Sequence, residues 1–118
     1  MRQIILDTET TGLEWEQGHR IIEIGCVELI GRRITNNRFH TFLNPGREID
    51  FGALEVHGIQ RESLLDKPEF ADISEELIKF LSGSELIIHN AKFDIGFLNH
   101  ELSLIDGSIA EIQDVCTV

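Results

Sequence analysis

Basic charge is what this sequence lacks most. Ten Lys and Arg stand against 21 Asp and Glu over 118 residues, a formal net charge of −11. That balance opposes free adhesion to nucleic acid or to an anionic membrane. A polyanionic substrate would need metal ions to neutralise its phosphate locally, and a partner to deliver it. Long apolar runs are missing too, the hydrophobic stretches being only a few residues long and too short to cross a bilayer. Asp7 arrives too early for the N-terminus to be a secretory signal. Cysteine is scarce. Cys26 and Cys116 have no metal-ligand spacing and, without a signal, read as reduced thiols of a cytoplasmic protein. No internal repeat, low-complexity tract or interdomain linker is visible.

The remainder is the composition of an ordinary globular chain, 42% hydrophobic and 26% charged. Its length makes one domain, with room for a real core but short for an enzyme. The most informative stretch is Ile4-Ile5-Leu6-Asp7-Thr8-Glu9-Thr10-Thr11-Gly12. Read as a strand, it places Asp7 and Glu9 on one face with β-carbons about 7 Å apart. Two converging carboxylates repel unless a cation lies between them, and a hard divalent ion is the natural occupant. Ile4-Ile5-Leu6 is apolar on both faces, as in a strand covered on both sides. Ligands of open α/β sheets bind beyond the carboxyl ends of such strands. Taken alone, the same residues are also ordinary strand-to-turn chemistry.

Downstream, Leu13 to Gly18 reads as a loop and Ile21 to Ile30 as a strand. Gly31-Arg32-Arg33 suggests a tight turn, and a further strand runs from Ile34 to Leu43 before Asn44-Pro45-Gly46 stops it. Three strands with no helix between them imply an antiparallel start. The second half changes period: Phe70, Ile73, Leu77, Phe80 and Leu81 recur at helical spacing from Pro68 to Ser82-Gly83. Leu86-Ile87-Ile88 is a short buried strand. Asn90 is then the expected N-cap of a helix from Ala91 to about Leu102, with Phe93, Phe97 and Leu98 toward the core. Residues 103–113 read as a loop, and Val115 to Val118 begin another strand.

Asp94 falls in the first turn of that last helix, where the macrodipole favours an ionised carboxylate. The strand before it should lie parallel to strand one, which would bring Asp94 near Asp7 and Glu9. By itself it would be an ordinary helix-start acid. A paired-carboxylate glycosidase is a formal rival for two acids, but nothing here supplies sugar-binding aromatics.

Four segments now coincide in order: Leu6-Asp7-Thr8-Glu9-Thr10-Thr11-Gly12-Leu13, Arg20-Ile21-Ile22-Glu23-Ile24-Gly25, Val56-His57-Gly58-Ile59, and Ile88-His89-Asn90-Ala91-Lys92-Phe93-Asp94-Ile95-Gly96-Phe97. Together they closely resemble the DEDD-type 3′→5′ exonucleases of the histidine-containing branch, and most of all its proofreading members. The resemblance implies a ribonuclease-H-like α/β fold, a mixed sheet flanked by helices. It implies a site of two divalent ions, Mg²⁺ or Mn²⁺, about 3.5–4 Å apart, clamping the scissile phosphate. Asp7 and Glu9 would be ligands, with Asp7 bridging, and Asp94 would help hold the ions directly or through water. Thr10 and Gly12 would offer backbone contacts to the terminal nucleotide, Leu13 and Phe93 would pack on bases, and Val56 and His57 would line the same pocket. For His57 a turn histidine before Gly58 is an equal alternative, and His19, His40, His89 and His100 read as structural or exposed. Implied partners are the single-stranded 3′ end of DNA, a polymerase catalytic subunit and a small accessory subunit.

The sequence departs from that family in one respect. The third family motif, a general-base His followed five residues later by an Asp, has no match; His100 and Asp106 have the wrong spacing. Residues 1–118 therefore read as the N-terminal portion of a single exonuclease domain, with its C-terminal helices missing. A missing general base alone costs roughly 10²–10⁴-fold, so these residues by themselves are expected to have little or no nuclease activity. The uncovered sheet should expose an apolar patch. The alternatives are an RNA-trimming 3′→5′ exoribonuclease and a non-catalytic relative that binds a partner.

Overall fold

The structure, a computed structural model, describes residues 1–105 and the backbone of 115–117. Among the described residues five strands make one sheet: β1 (Arg2–Thr10), β2 (Ile21–Ile30), β3 (Arg33–Phe42), β4 (Glu85–Ile88) and β5 (Val115–Thr117). Three helices accompany it among the described residues: α1 (Phe51–His57), α2 (Phe70–Leu81) and α3 (Ala91–Ser103). The strand order is β3-β2-β1-β4-β5. β1, β2 and β3 pair antiparallel, whereas β4 runs parallel to β1 and β5 parallel to β4. The antiparallel start and parallel finish expected from the sequence are both present, and β1 is the central strand.

Alternation along β1 decides what each face does. Ile4 and Leu6 join a core with Ile24 and Cys26 from β2. Phe70, Ile73, Leu77 and Leu81 of α2, and Phe97, Leu98 and Leu102 of α3, close over the same cluster. Burial in this core pushes the Cys26 thiol up to about 12, which keeps it inert near neutral pH. The opposite face carries Ile5, Asp7 and Glu9, and there the reading of β1 as covered on both sides fails. Ile5 is 41% exposed, because the described helices that pack on the sheet do so on the Ile4–Leu6 side. Ile34 of β3, in register with Leu29 on this open face, is exposed as well.

Local signals account for most element ends. Gly31 and Arg32 both have positive φ, 58° and 65°, as a two-residue hairpin turn requires. In α2, Asp72 Oδ2 accepts the Glu69 N–H at 3.0 Å, satisfying an amide at the helix start. At α3 the expected cap is corrected. Asn90 occupies the N-cap position, but its side chain makes no capping hydrogen bond; its carbonyl instead accepts from Phe93 and Asp94 N–H at 3.0 and 3.2 Å. Ser103 is the last residue of α3 rather than loop, and residues 106–113 of the expected loop lie outside the described residues, as does Val118.

Three short elements were not legible from the sequence. The stretch Leu13 to Gly18, expected as loop, contains a 3₁₀ turn at Trp15–Gln17, and a second lies at Arg61–Leu64. α1 contains no buried residue, so it shows no apolar stripe at helical spacing. Its C-terminal signal was readable: Gly58, at φ 70°, gives its N–H to Leu54 O at 2.8 Å. Among the described residues no helix is long and apolar enough to cross a membrane.

Candidate active site

The site begins at a break in register. β1 and β2 pair regularly from Arg2–Ile30 to Glu9–Glu23, then shift so that Thr10 faces Ile21. Such a bulge bends the strand and re-aims the residues beyond it. Just before it, Asp7 and Glu9 stand on the open face, Asp7 in register with Gly25 and Glu9 with Glu23. A small hollow of about 100 Å³ lies among Asp7, Thr8, Glu9, Glu23 and Gly25.

Asp94 approaches from the other side. It is 4% exposed, and its Oδ1 accepts the Thr8 hydroxyl at 2.6 Å. Thr8 belongs to the buried row of β1, so Asp94 contacts the strand on the helix side while Asp7 and Glu9 occupy the open side. The three acids are nonetheless within electrostatic reach. Burial, assisted by the charges of Asp7 and Glu9, pushes Asp94 up to about 6, against the opposing effects of the Thr8 hydrogen bond and His89. The macrodipole's pull toward the ionised form is thus outweighed by desolvation, which sets the direction of the shift. Glu9 is also raised, first by burial, then by Asp7, with His57 opposing and Glu23 adding. Among the described residues, no group of three or more His, Cys, Asp or Glu side chains is gathered closely enough to hold one ion. Asp7 and Glu9 are together; Asp94 is behind them.

This donor set fits a hard cation. All the donors are oxygens, and the charges of neighbouring carboxylates disfavour ionisation of Glu9 and Asp94, a penalty that a divalent ion would reverse.

Beside the carboxylates lies a larger cleft of about 440 Å³, sharing Thr8 and Glu9 with the small hollow. The six residues expected to meet substrate, Thr10, Gly12, Leu13, Val56, His57 and Phe93, all line it. Phe93 is half-buried and packs on Phe97 with ring centroids 4.9 Å apart, so its expected core position is only partly met. Leu13 and Val56 are 82% and 83% exposed on the cleft walls, leaving apolar surface open to a ligand. The carbonyls of Thr10 and Gly12 already accept hydrogen bonds from His57 and from the Thr10 hydroxyl. A nucleotide contacting either carbonyl would share it.

Asp50, Gly52 and Ala53 also line the cleft and were not anticipated. They come with α1, which two histidines tie to the end of β1. His57 Nδ1 accepts the Ile59 N–H at 3.0 Å, so the proton lies on Nε2, which donates to Thr10 O at 3.1 Å. At the other end of α1, Thr11 Oγ1 accepts the Arg20 N–H and donates to His19 Nδ1 at 2.8 Å. His19 Nε2 then reaches Asp50 Oδ2 at 3.2 Å, while Asp50 N–H donates to Thr11 O. His19 is accordingly structural, as expected, and His57 both lines the cleft and fixes its wall.

Gly12 is required by this arrangement. A Cβ there would come within 2.3 Å of the His19 ring, which is held at both nitrogens. Gly12→Ala is therefore expected to cost about 1–3 kcal/mol in overpacking, read as a lower urea midpoint. An unchanged midpoint would show that the ring can move freely.

Comparisons with known proteins agree with this architecture. The model of the RNase_T exonuclease family matches residues 4–118. The DNA polymerase III subunit epsilon of Rickettsia typhi is 56% identical over 105 residues, 89% of this chain and 46% of the relative. The same subunit of Escherichia coli is 50% identical over 121 residues, 99% of this chain and 50% of the relative. The chain thus spans about half the length of the curated relatives it matches. Among solved structures, exonuclease X in complex with 5′ overhanging duplex DNA superimposes with a TM-score of 0.65 at 35% identity, over 81% of this chain and 53% of that one. The mixed sheet with its parallel β1–β4 pair is the ribonuclease-H-like fold of these nucleases. With the match covering nearly every residue and the fold following it, the chain belongs to the RNase_T exonuclease family.

Proposed function

We propose that this chain is the N-terminal portion of a metal-dependent 3′→5′ exonuclease domain that removes mononucleotides from single-stranded 3′ ends of DNA. The observation that carries the reading is the placement of Asp7 and Glu9 on the open face of β1, next to an apolar-walled cleft. Asp7 and Glu9 would hold divalent ions, Mg²⁺ or Mn²⁺, and Asp94 would support them from behind Thr8. When bound, the ions would supply charge neutralisation of the phosphate, activation of the attacking water and stabilisation of the leaving oxygen. The overall change is hydrolysis: the water oxygen bonds to phosphorus, the bond from phosphorus to the 3′ oxygen breaks, and that oxygen ends protonated.

The remaining work falls to the cleft. Phe93, Leu13 and Val56 present apolar surface to the terminal base, which suits an enzyme that must accept any base. α1, fixed by His19 and His57, keeps that wall at a constant distance from Glu9. The relatives' name supports a place in DNA polymerase III, with the catalytic subunit and a small accessory subunit as partners. Delivery by such partners would also answer the net charge of −11, which repels free DNA.

The test is binding of a product, a deoxynucleoside 5′-monophosphate, followed by the chemical shifts of the cleft residues. Binding should require Mg²⁺ and be lost in Asp7→Asn; metal-independent binding, or none in the parent chain, would overturn the reading. Competition between short DNA and RNA oligonucleotides separates it from an RNA-trimming enzyme.

A further inference from the structure

Resting on that reading of Asp7 and Glu9, we infer that Glu23, held by His40, is a positioning residue for the cation site. It acts through Glu9 and through the hydration shell of the bound ion. Glu9 and Glu23 face each other in register across β1 and β2. Like charges directly opposite on a strand pair are destabilising, so this pairing with Glu9 is a cost that position 23 carries. A neighbour on β3 is arranged to hold it. His40 Nε2 lies 2.6 Å from Glu23 Oε2.

The space between these groups is kept open. His40 is the register partner of Gly25, and a Cβ on Gly25 would lie 3.8 Å from His40 Cδ2. The imidazole also packs edge-on against Phe42, centroids 5.1 Å apart at 85°. Gly25 thus leaves bare backbone between His40 and Asp7, its own partner on β1. The resulting hollow of about 100 Å³ holds roughly three waters by liquid volume. It is bounded by Asp7 and Glu9 on one side and by Glu23 on the other. His40 takes one oxygen of Glu23, and a carboxylate has acceptor capacity beyond a single bond. Glu23 is therefore fixed where it can accept from the waters of an ion at Asp7 and Glu9, while its charge keeps the Glu9 carboxylate turned toward that ion. It needs no place among the direct ligands to do so.

Calorimetric titration of Mn²⁺ into the chain tests this. Glu23→Gln keeps an oxygen for His40 but removes the charge, and it should weaken Mn²⁺ binding about tenfold, the usual effect of losing a group that orients a ligand. Its melting temperature without metal should not fall, since a repulsive pair has been relieved. His40→Ala should weaken Mn²⁺ similarly, and His40→Gln, which retains a donor, should recover most of the loss. A Glu23→Gln affinity within about twofold of the parent overturns the inference while leaving the exonuclease reading intact. A parent chain that ignores Mn²⁺, or that binds it without Asp7 and Glu9, overturns both.

Discussion

Replacing Asp94 with Asn is expected to make the metal-free chain more stable at neutral pH while weakening its hold on divalent ions. Asp94 is buried, and its pKa rises from an ordinary value of 3.8 to about 6 in the folded chain. A raised carboxyl pKa means that the folded state binds the proton more tightly than the unfolded state. The stability due to that proton is fully present below about pH 4 and is lost as pH rises through about 6. That rise corresponds to about 3 kcal/mol of penalty at pH 7. Asn keeps an oxygen for the Thr8 hydroxyl, whose bond is 2.6 Å in the parent, and removes the buried charge. The variant should thus melt higher at pH 7 and show no loss of stability between pH 4 and 7 from this position. Saturating Mn²⁺ should raise the parent's melting temperature more than the variant's. If Asp94→Asn instead destabilises the metal-free chain at pH 7, the acid is a structural anchor and not a poised ligand.

The second large effect is expected from Arg20→Leu. Glu101 on α3 is 1% exposed, and both of its oxygens are engaged by Arg20: Nε lies 2.9 Å from each and Nη2 2.6 Å from one. Ile21 N–H donates to the same carboxylate at 3.0 Å. The fork of bonds holds the Arg20 guanidinium even more firmly protonated than usual, through its hydrogen bonds to Glu101. Removing the arginine strands a buried carboxylate, which costs about 3–5 kcal/mol. That is a large share of the roughly 5–15 kcal/mol available to a domain. Thermal unfolding by circular dichroism should shift down by more than about 10 °C. Adding Glu101→Leu should recover most of the loss, because a buried pair replaced on both sides is far less costly than one broken. A single variant within about 1 kcal/mol of the parent would mean that water reaches Glu101 when Arg20 is gone.

How far the sequence carries such conclusions depends on the kind of signal. α2 and α3 were legible because helical spacing is imposed by one-sided burial, which Leu77 and Phe97 show fully, and β1 showed as a short apolar run that stops at two acids. The parallel placement of β4 followed from the connection rule alone. α1 was invisible for the converse reason: it has no fully buried residue and is held by His19 and His57 through polar bonds between distant positions. The burial of Asp94 was likewise beyond sequence reading, since the local dipole argument ignores the core packed around the helix start. The exposure of Ile5 was hidden by its apolar neighbours Ile4 and Leu6, whose side chains belong to the other face. Residue types marked where chemistry belongs; long-range contacts set its electrostatics.

The central claim is that Asp7 and Glu9, backed by Asp94, hold divalent ions at the open end of β1. Isothermal titration of Mn²⁺ into the metal-free chain, beside Asp7→Asn and Glu9→Gln, addresses it most directly. Saturable binding in the parent that disappears in both variants is the predicted result. Binding that survives both substitutions, or a parent that takes up no Mn²⁺, would contradict it.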